Sequence, residues 1–217
     1  MKDYFLEAQK AGIHIYRRVL DDTNIESYKL TDDNNYVMIK YLNGQTHYSP
    51  VSTISLEELD LRQRSALEEI KRKVSKEGKT IRALNSGIVA LDLMNVILQS
   101  VNQNWFASAC WLACTSIYSL RIYQPYKLMQ ELNLVSWIVD NKDDVNKVIK
   151  DEVNQVISKP TNASNSINMP SYNYPSNLVS YSKTMYEEGI NLNNIDELSN
   201  KELKKLKKKV LKKERGQ

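Results

Sequence analysis

Two histidines and two cysteines are the residues of this chain best suited to metal binding or nucleophilic chemistry. His14 and His47 each lie in a segment with strand-forming residues, without an acidic or cysteine cluster beside them. Cys110 and Cys114 share one helix face, but a soft-metal site normally needs four ligands and their segment offers no other Cys or His. No phosphate-binding glycine loop, zinc-protease motif or nucleophile elbow occurs. We therefore expect a non-enzymatic protein without metal or cofactor, in which the cysteines pack as small apolar side chains.

The segment that carries both cysteines is depleted of charge. From Ala83 to Leu120 there is one charged residue, Asp92, although 26% of the whole chain is charged. Two apolar helices joined by a short turn at 102–104 account for this pattern. Each arm of the predicted hairpin, residues 83–123, rises about 28 Å, enough to cross a bilayer's hydrocarbon core. Polar residues of the first arm recur at helical spacing on one face, which needs polar partners: Asp92, Asn95, Gln99 and Asn102.

The charges and aromatic residues around the hairpin favour a membrane. A basic run at 71–82 precedes it, and Arg121 and Lys127 follow, whereas the turn is uncharged. This is the positive-inside pattern of a hairpin with both ends in the cytoplasm, and Trp105 at the turn and Tyr123 at the other end suit interfacial positions.

Two alternatives to a membrane hairpin stay open. Amphipathic helices at 56–77 and 142–158 would wrap the hairpin in a soluble bundle, or partner helices of a homo-oligomer would cover it. The second arm is the less apolar one, and an ionised Asp92 is costly near the centre of a bilayer. The alternative function is a soluble helical-bundle interaction protein, an adaptor or structural protein in the cytoplasm.

The first 54 residues predict a small β-rich module. Strand-forming residues on both sides of Asn43-Gly44 predict an antiparallel hairpin over residues 36–48, closed by a type I′ turn in which both residues have positive φ. Pro50 is expected to end the second strand, because proline cannot donate to a ladder.

Helix boundaries are suggested by caps and by helix-breaking residues. Ser55 and Glu58 form a capping-box pattern, so a helix is expected from residue 56, and Gly78 is expected to end it. Pro125 is expected in the first turn of a separate short helix. Aspartates at 143 and 144 open a further helix, whose buried stripe begins at Val145 and continues at every third or fourth residue.

The C-terminal segment is strongly basic. Residues 201–217 carry a net charge of +7, so the first 200 residues carry −3. A second capping box, Ser199 with Glu202, opens an amphipathic helix covered with lysines. These are expected to contact anionic lipid of the cytoplasmic leaflet or, less favoured because aromatics and arginines are few, nucleic acid: Lys204, Lys205, Lys208 and Lys209.

Together these patterns predict an α+β, mostly helical fold. Its expected segments are a β-rich module at 1–54, a helical region at 55–159, an Asn/Ser/Pro-rich linker at 160–195 and a basic helical tail at 196–217. The favoured interpretation is a protein attached to the cytoplasmic face of a membrane by its hairpin.

Overall fold

The computed structural model describes residues 2–15, 22–157 and 181–216. Of these described residues, 71% are helical and a few form one small sheet, which confirms the predicted α+β, mostly helical class. The chain divides into two compact units, residues 2–133 and residues 134–217. Its helices and strands are α1 (Tyr4–Lys10), β1 (Ile25–Leu30), β2 (Tyr36–Tyr41), β3 (Thr46–Pro50), α2 (Leu56–Val101), α3 (Trp105–Asp140), α4 (Lys142–Ile157), α5 (Lys183–Glu188) and α6 (Asn200–Glu214).

The sheet of the first unit is antiparallel, with the order β1-β2-β3. Side chains alternate along β2, so Val37, Ile39 and Tyr41 point to one face and are buried there. They form a core with Ile25 of β1 and Leu59 of the first turns of α2. The sheet is therefore held against the beginning of α2.

The Asn43-Gly44 hairpin is present, but its turn differs from the predicted type I′. The β2–β3 register pairs Lys40 with Thr46, and the Gly44 N–H donates to the Tyr41 carbonyl at 2.9 Å. Gly44 has a φ of 85°, whereas Asn43 is not among the residues with positive φ. The Asn43 side chain instead accepts a hydrogen bond from the Gln45 N–H at 2.9 Å. One extra residue in the loop thus places the left-handed conformation on Gly44 alone.

Replacing Gly44 with valine is expected to cost about 1 kcal/mol or more of folding free energy, because a β-branched residue resists positive φ. No atom lies within 4 Å of the position that a Cβ would take, so the penalty comes from the backbone and not from crowding. Gly44→Asn is the control, since asparagine tolerates this conformation. Thermal melts measure both variants, and an equal loss in both would contradict the backbone explanation.

Helix α2 begins where the capping box predicts, with the Ser55 Oγ accepting from the Glu58 N–H at 3.1 Å. It does not end at Gly78, and Pro125 lies inside α3 instead of opening a new helix. The two residues face each other: a Cβ at Gly78 would lie 3.2 Å from the Pro125 Cβ. Both predicted boundaries were wrong because these residues allow a close approach between α2 and α3, which is compatible with continuous helices.

The second unit has a core of four helical segments. The predicted stripe of α4 is confirmed, since Val145, Val148, Ile149 and Val153 are buried. Helix α6 packs on α4 through side chains of its predicted apolar stripe: Leu203, Leu206 and Val210. Its capping box is also confirmed, with the Glu202 carboxylate accepting from the Ser199 N–H at 2.8 Å.

Part of the predicted linker is folded. Residues 160–180 lie outside the described part of the chain, but residues 181–195 contain α5 and a short 3-10 turn. Leu192 is fully buried, and the Ile190 N–H donates to the Asn146 side chain of α4 at 2.6 Å. The prediction failed here because the segment is too short for a helical period and is held by side-chain amides.

Candidate membrane-contacting hairpin

The hairpin consists of the last part of α2, residues 83–101, and the first part of α3, residues 105–123. Between them, residues 102–104 form the predicted short turn, in which Gln103 has a φ of 57°. The Asn102 N–H donates to the Leu98 carbonyl at 3.1 Å and so closes the last turn of α2. The two arms are therefore antiparallel and directly connected.

The outer surface of the hairpin is apolar on both arms. Phe106 is 83% exposed and Val101 is 76% exposed, although both residue types are normally buried in water-soluble proteins. The other large apolar side chains that are exposed on the two arms are Leu84, Leu91, Leu93, Met94, Ile97, Leu98, Trp105, Leu112, Ile117, Leu120 and Tyr123. Soluble monomers rarely expose so many large apolar side chains on one pair of helices.

Polar side chains, by contrast, are buried between the arms. Asp92 is 5% exposed, and Asn85 and Ser108 are each 8% exposed. The Ser100 and Ser108 hydroxyls lie 2.8 Å apart across the hairpin, and the Ser108 Oγ also lies 3.3 Å from the Val96 carbonyl oxygen. The large exposed side chains of the hairpin are thus apolar, whereas its one carboxylate is buried, the reverse of a soluble helix pair.

Asp92 has no hydrogen-bond partner for its buried Oδ2 within the described part of the chain. The other members of the predicted polar stripe have different environments. Asn95 is half-buried and donates to the Leu91 carbonyl of its own helix at 3.1 Å, and Gln99 is half-buried. Asn102 is exposed at the turn. Asp92, Asn95 and Gln99 are therefore buried or half-buried, whereas Asn102 at the end of the stripe is exposed.

The face that α3 turns towards α2 was not identified from the sequence. The two cysteines that were expected to pack as small apolar side chains lie mostly on the outside, since Cys110 is exposed and Cys114 is half-buried, and the neighbouring Ala109 and Ala113 are also exposed. Ser108 occupies the interface instead, since its hydroxyl bonds to α2 fix the rotation of the second arm. The spacing of Ser100 and Ser108 about a three-residue turn was the available signal, because such a turn places them opposite each other.

Aromatic and basic side chains meet at the open end of the hairpin. The Arg82 guanidinium lies 5.9 Å from the centre of the Tyr126 ring, and the Arg121 guanidinium lies 5.5 Å from the Tyr118 ring. Such pairs suit the headgroup level of a bilayer, where an aromatic ring and a cation are both stable.

Among the described residues, α2 is the one helix whose length and composition would allow it to cross a membrane. Core helices of soluble proteins meet the same criterion, but they are mostly buried. In α2 only 11% of the most apolar stretch is buried. The wrapped bundle expected as an alternative does not form within unit 2–133, because residues 56–77 are the collinear start of α2 and cannot fold back on it.

The four predicted contact lysines of α6 divide into two groups. Lys204, Lys205 and Lys208 are exposed. Lys209 instead donates to Glu152 of α4, and burial lowers the pKa of its ammonium group. Contact of Lys209 with an external anion would therefore compete with this ion pair, and its assignment as a contact residue stays a prediction. The neighbouring Lys213 donates to Asp151, and this hydrogen bond lowers the pKa of the carboxyl group.

The residues first considered for metal chemistry are dispersed. His14 is exposed in a segment that belongs to no strand, contrary to the prediction, and His47 is exposed on β3. In the described ranges, no group of three or more His, Cys, Asp or Glu residues is placed to hold a metal ion.

Comparison with protein-family models, with curated proteins and with solved structures yields no match to this chain.

Proposed function

We propose that this chain is a non-enzymatic protein attached to the cytoplasmic face of a membrane by the hairpin of residues 83–123. The observation that carries the proposal is the inverted distribution of polarity, with large apolar side chains outside and Asp92, Ser100 and Ser108 between the arms. Lipid would cover the large apolar side chains on the outside, and between the arms the Ser100 and Ser108 hydroxyls bond to each other, as polar side chains between membrane helices do.

A soluble interaction protein is the second candidate, because partner helices would also cover an apolar surface. A partner groove covers one face of a helix, however, and charge is missing from every side of the hairpin. Among the 38 residues from 83 to 120 the one charge is Asp92, which is buried. A hairpin without an exposed charge over these residues favours lipid over a partner protein.

The sidedness of the proposal depends on the positive-inside rule. Arg82 and Arg121 mark the open end of the hairpin, and the turn at 102–104 is uncharged. Both ends would then face the cytoplasm, and residues 2–82 and 124–217 would lie there as the parts available for partner proteins.

Cysteine labelling tests this arrangement with the chain's own residues. In intact membranes, Cys110 and Cys114 are expected to resist a membrane-impermeant maleimide and to react fully after denaturation, because lipid shields them. Cys110 is exposed in the structure, so a protein without a membrane would leave it reactive. Carbonate-washed membranes are the starting material, and the fraction of chain that they retain is measured first.

Two single-cysteine controls in a Cys110→Ser/Cys114→Ser chain report on sidedness. Ser52→Cys, in the exposed loop after β3, is expected to react from the cytoplasmic side, and Asn102→Cys, at the exposed turn, from the opposite side. If both introduced cysteines are labelled from the same side, the membrane proposal is overturned in favour of the soluble one. The same holds if Cys110 of the unaltered chain reacts as fast as the cysteine introduced by Ser52→Cys.

A further inference from the structure

Helix α6 is held in one rotational orientation about its axis. Leu203, Leu206 and Val210 are buried on one side, and the flanking Lys209 and Lys213 pair with acidic residues of α4. The opposite side is therefore fixed towards the outside of this unit, and its lysines are displayed by the fold instead of belonging to a loose tail.

The displayed side carries uncompensated positive charge. Lys204, Lys208 and Lys212 recur at every fourth residue and thus lie in one row about 12 Å long. None of the three forms an ion pair with a described residue, in contrast to Lys209 and Lys213. The charge on this side is left for an external anion.

The row lines an open cavity of about 480 Å³. Among the described residues, its lining contains five cationic side chains, one leucine and no acidic residue: Lys204, Lys207, Lys208, Leu211, Lys212 and Arg215. The ammonium group of Lys207 lies 4.6 Å from the centre of the Trp137 ring, and this contact positions the Lys207 side chain. A helix face with several cations and no carboxylate among its described lining suits a group with more than one negative oxygen, as phosphate has.

We propose that this surface of α6 binds the phosphate headgroups of anionic lipids in the membrane that holds the hairpin, a proposal that rests on the proposed function. The cytoplasmic leaflet is the anionic one, and juxtamembrane lysines are attracted to it. Attachment by the hairpin would also keep α6 at a high effective concentration near that leaflet. Nucleic acid is disfavoured because the described residues that line the cavity include no aromatic side chain for base stacking and one arginine, Arg215.

The test uses the full chain reconstituted into phosphatidylcholine vesicles with or without phosphatidylserine at about one part in five. In a Cys110→Ser/Cys114→Ser background, Glu214→Cys carries a fluorophore, and a nitroxide on the lipid headgroup quenches it on contact. Quenching is expected in the anionic vesicles and is expected to disappear in high salt, which screens the attraction.

Charge removal assigns the effect to the row. Lys204→Gln/Lys208→Gln/Lys212→Gln retains residues that favour a helix and is expected to shift the balance between lipid-bound and free α6 on the order of 100-fold. The matched control, Lys142→Gln/Lys150→Gln/Lys183→Gln, removes the same net charge from α4 and α5 and is expected to leave quenching unchanged. Equal loss in both variants would overturn the assignment.

Other results separate this inference from the proposed function. Quenching of equal strength in neutral vesicles, or displacement of α6 from anionic vesicles by a single-stranded RNA that also binds the chain in neutral vesicles, would overturn lipid headgroup binding while the hairpin proposal stands. A chain that fails to stay with neutral vesicles after a carbonate wash overturns the hairpin proposal. If that chain still binds anionic vesicles through the three lysines, the α6 inference stands, and if it binds neither, both fail.

Discussion

Replacing Asp92 with leucine is expected to favour insertion of α2 into a bilayer by about 3 kcal/mol, on the order of 100-fold in the inserted fraction relative to the free one. The reason is the position of the carboxylate: it is 5% exposed between the arms, and its Oδ2 has no partner among the described residues. A bilayer supplies no water to such a group, so its removal takes away the largest single cost of placing this helix in lipid.

The measurement needs a chain whose insertion is incomplete. In an Ile97→Ala/Leu98→Ala background, which removes two exposed apolar side chains, the carbonate-resistant fraction is compared with and without Asp92→Leu. Glu69→Leu removes one carboxylate from the charged part of the same helix and is the control, with no expected change. A wild-type chain that is monomeric, soluble and cooperatively folded without detergent would exclude the membrane proposal.

Replacing Gly78 with leucine is expected to destabilise the unit of residues 2–133 by about 2 to 3 kcal/mol. Even a methyl group at this position would lie 3.2 Å from the Pro125 Cβ and 3.8 Å from the Ile13 side chain, so a larger side chain has to push α2 and α3 apart. The Pro125 ring cannot move away by changing its rotamer, because it is bonded to its own backbone nitrogen. The backbone of α2 or α3 therefore has to shift.

The same helix offers a matched control for this substitution. Gly87 lies nine residues further along α2, and a Cβ there would meet no atom within 4 Å. Gly87→Leu is therefore expected to leave stability unchanged or to raise it, because leucine favours the helix by about 1 kcal/mol over glycine. Thermal melts of the full chain in mild detergent measure both. Similar melting temperatures for the two variants would show that the Gly78–Pro125 contact carries no stability.

Features set by neighbouring residues were the ones that could be predicted from the sequence. The capping boxes at Ser55 and Ser199 depend on contacts three residues apart, and both helices begin there. The apolar stripe of α4 and the β2–β3 pairing likewise follow from local periodicity. The sequence also indicated that Asp92 does not face outwards, because a polar face on an apolar helix requires polar surroundings.

Features that depend on distant residues could not be predicted in the same way. Gly78 and Pro125 are both helix breakers by type, and nothing near either residue indicates that they face each other across two continuous helices. Lys209 and Lys205 are alike in sequence, yet one pairs with Glu152 of α4 and the other is exposed. Such differences arise from packing between segments that are distant in the chain. These contacts leave no periodic pattern in the sequence from which they could be predicted.

The unbroken course of α2 has a mechanical consequence. At 1.5 Å per residue, the 46 residues of this helix form a rod about 69 Å long, of which the charged part before residue 83 makes up about 40 Å. The sheet is packed against the first turns of the rod, and α3 runs beside it at Gly78. With the hairpin in a bilayer, the length of the rod would set the distance between the sheet and the lipid. Because the helix has no break at which to bend, tilting of the hairpin would move the sheet sideways through the same angle.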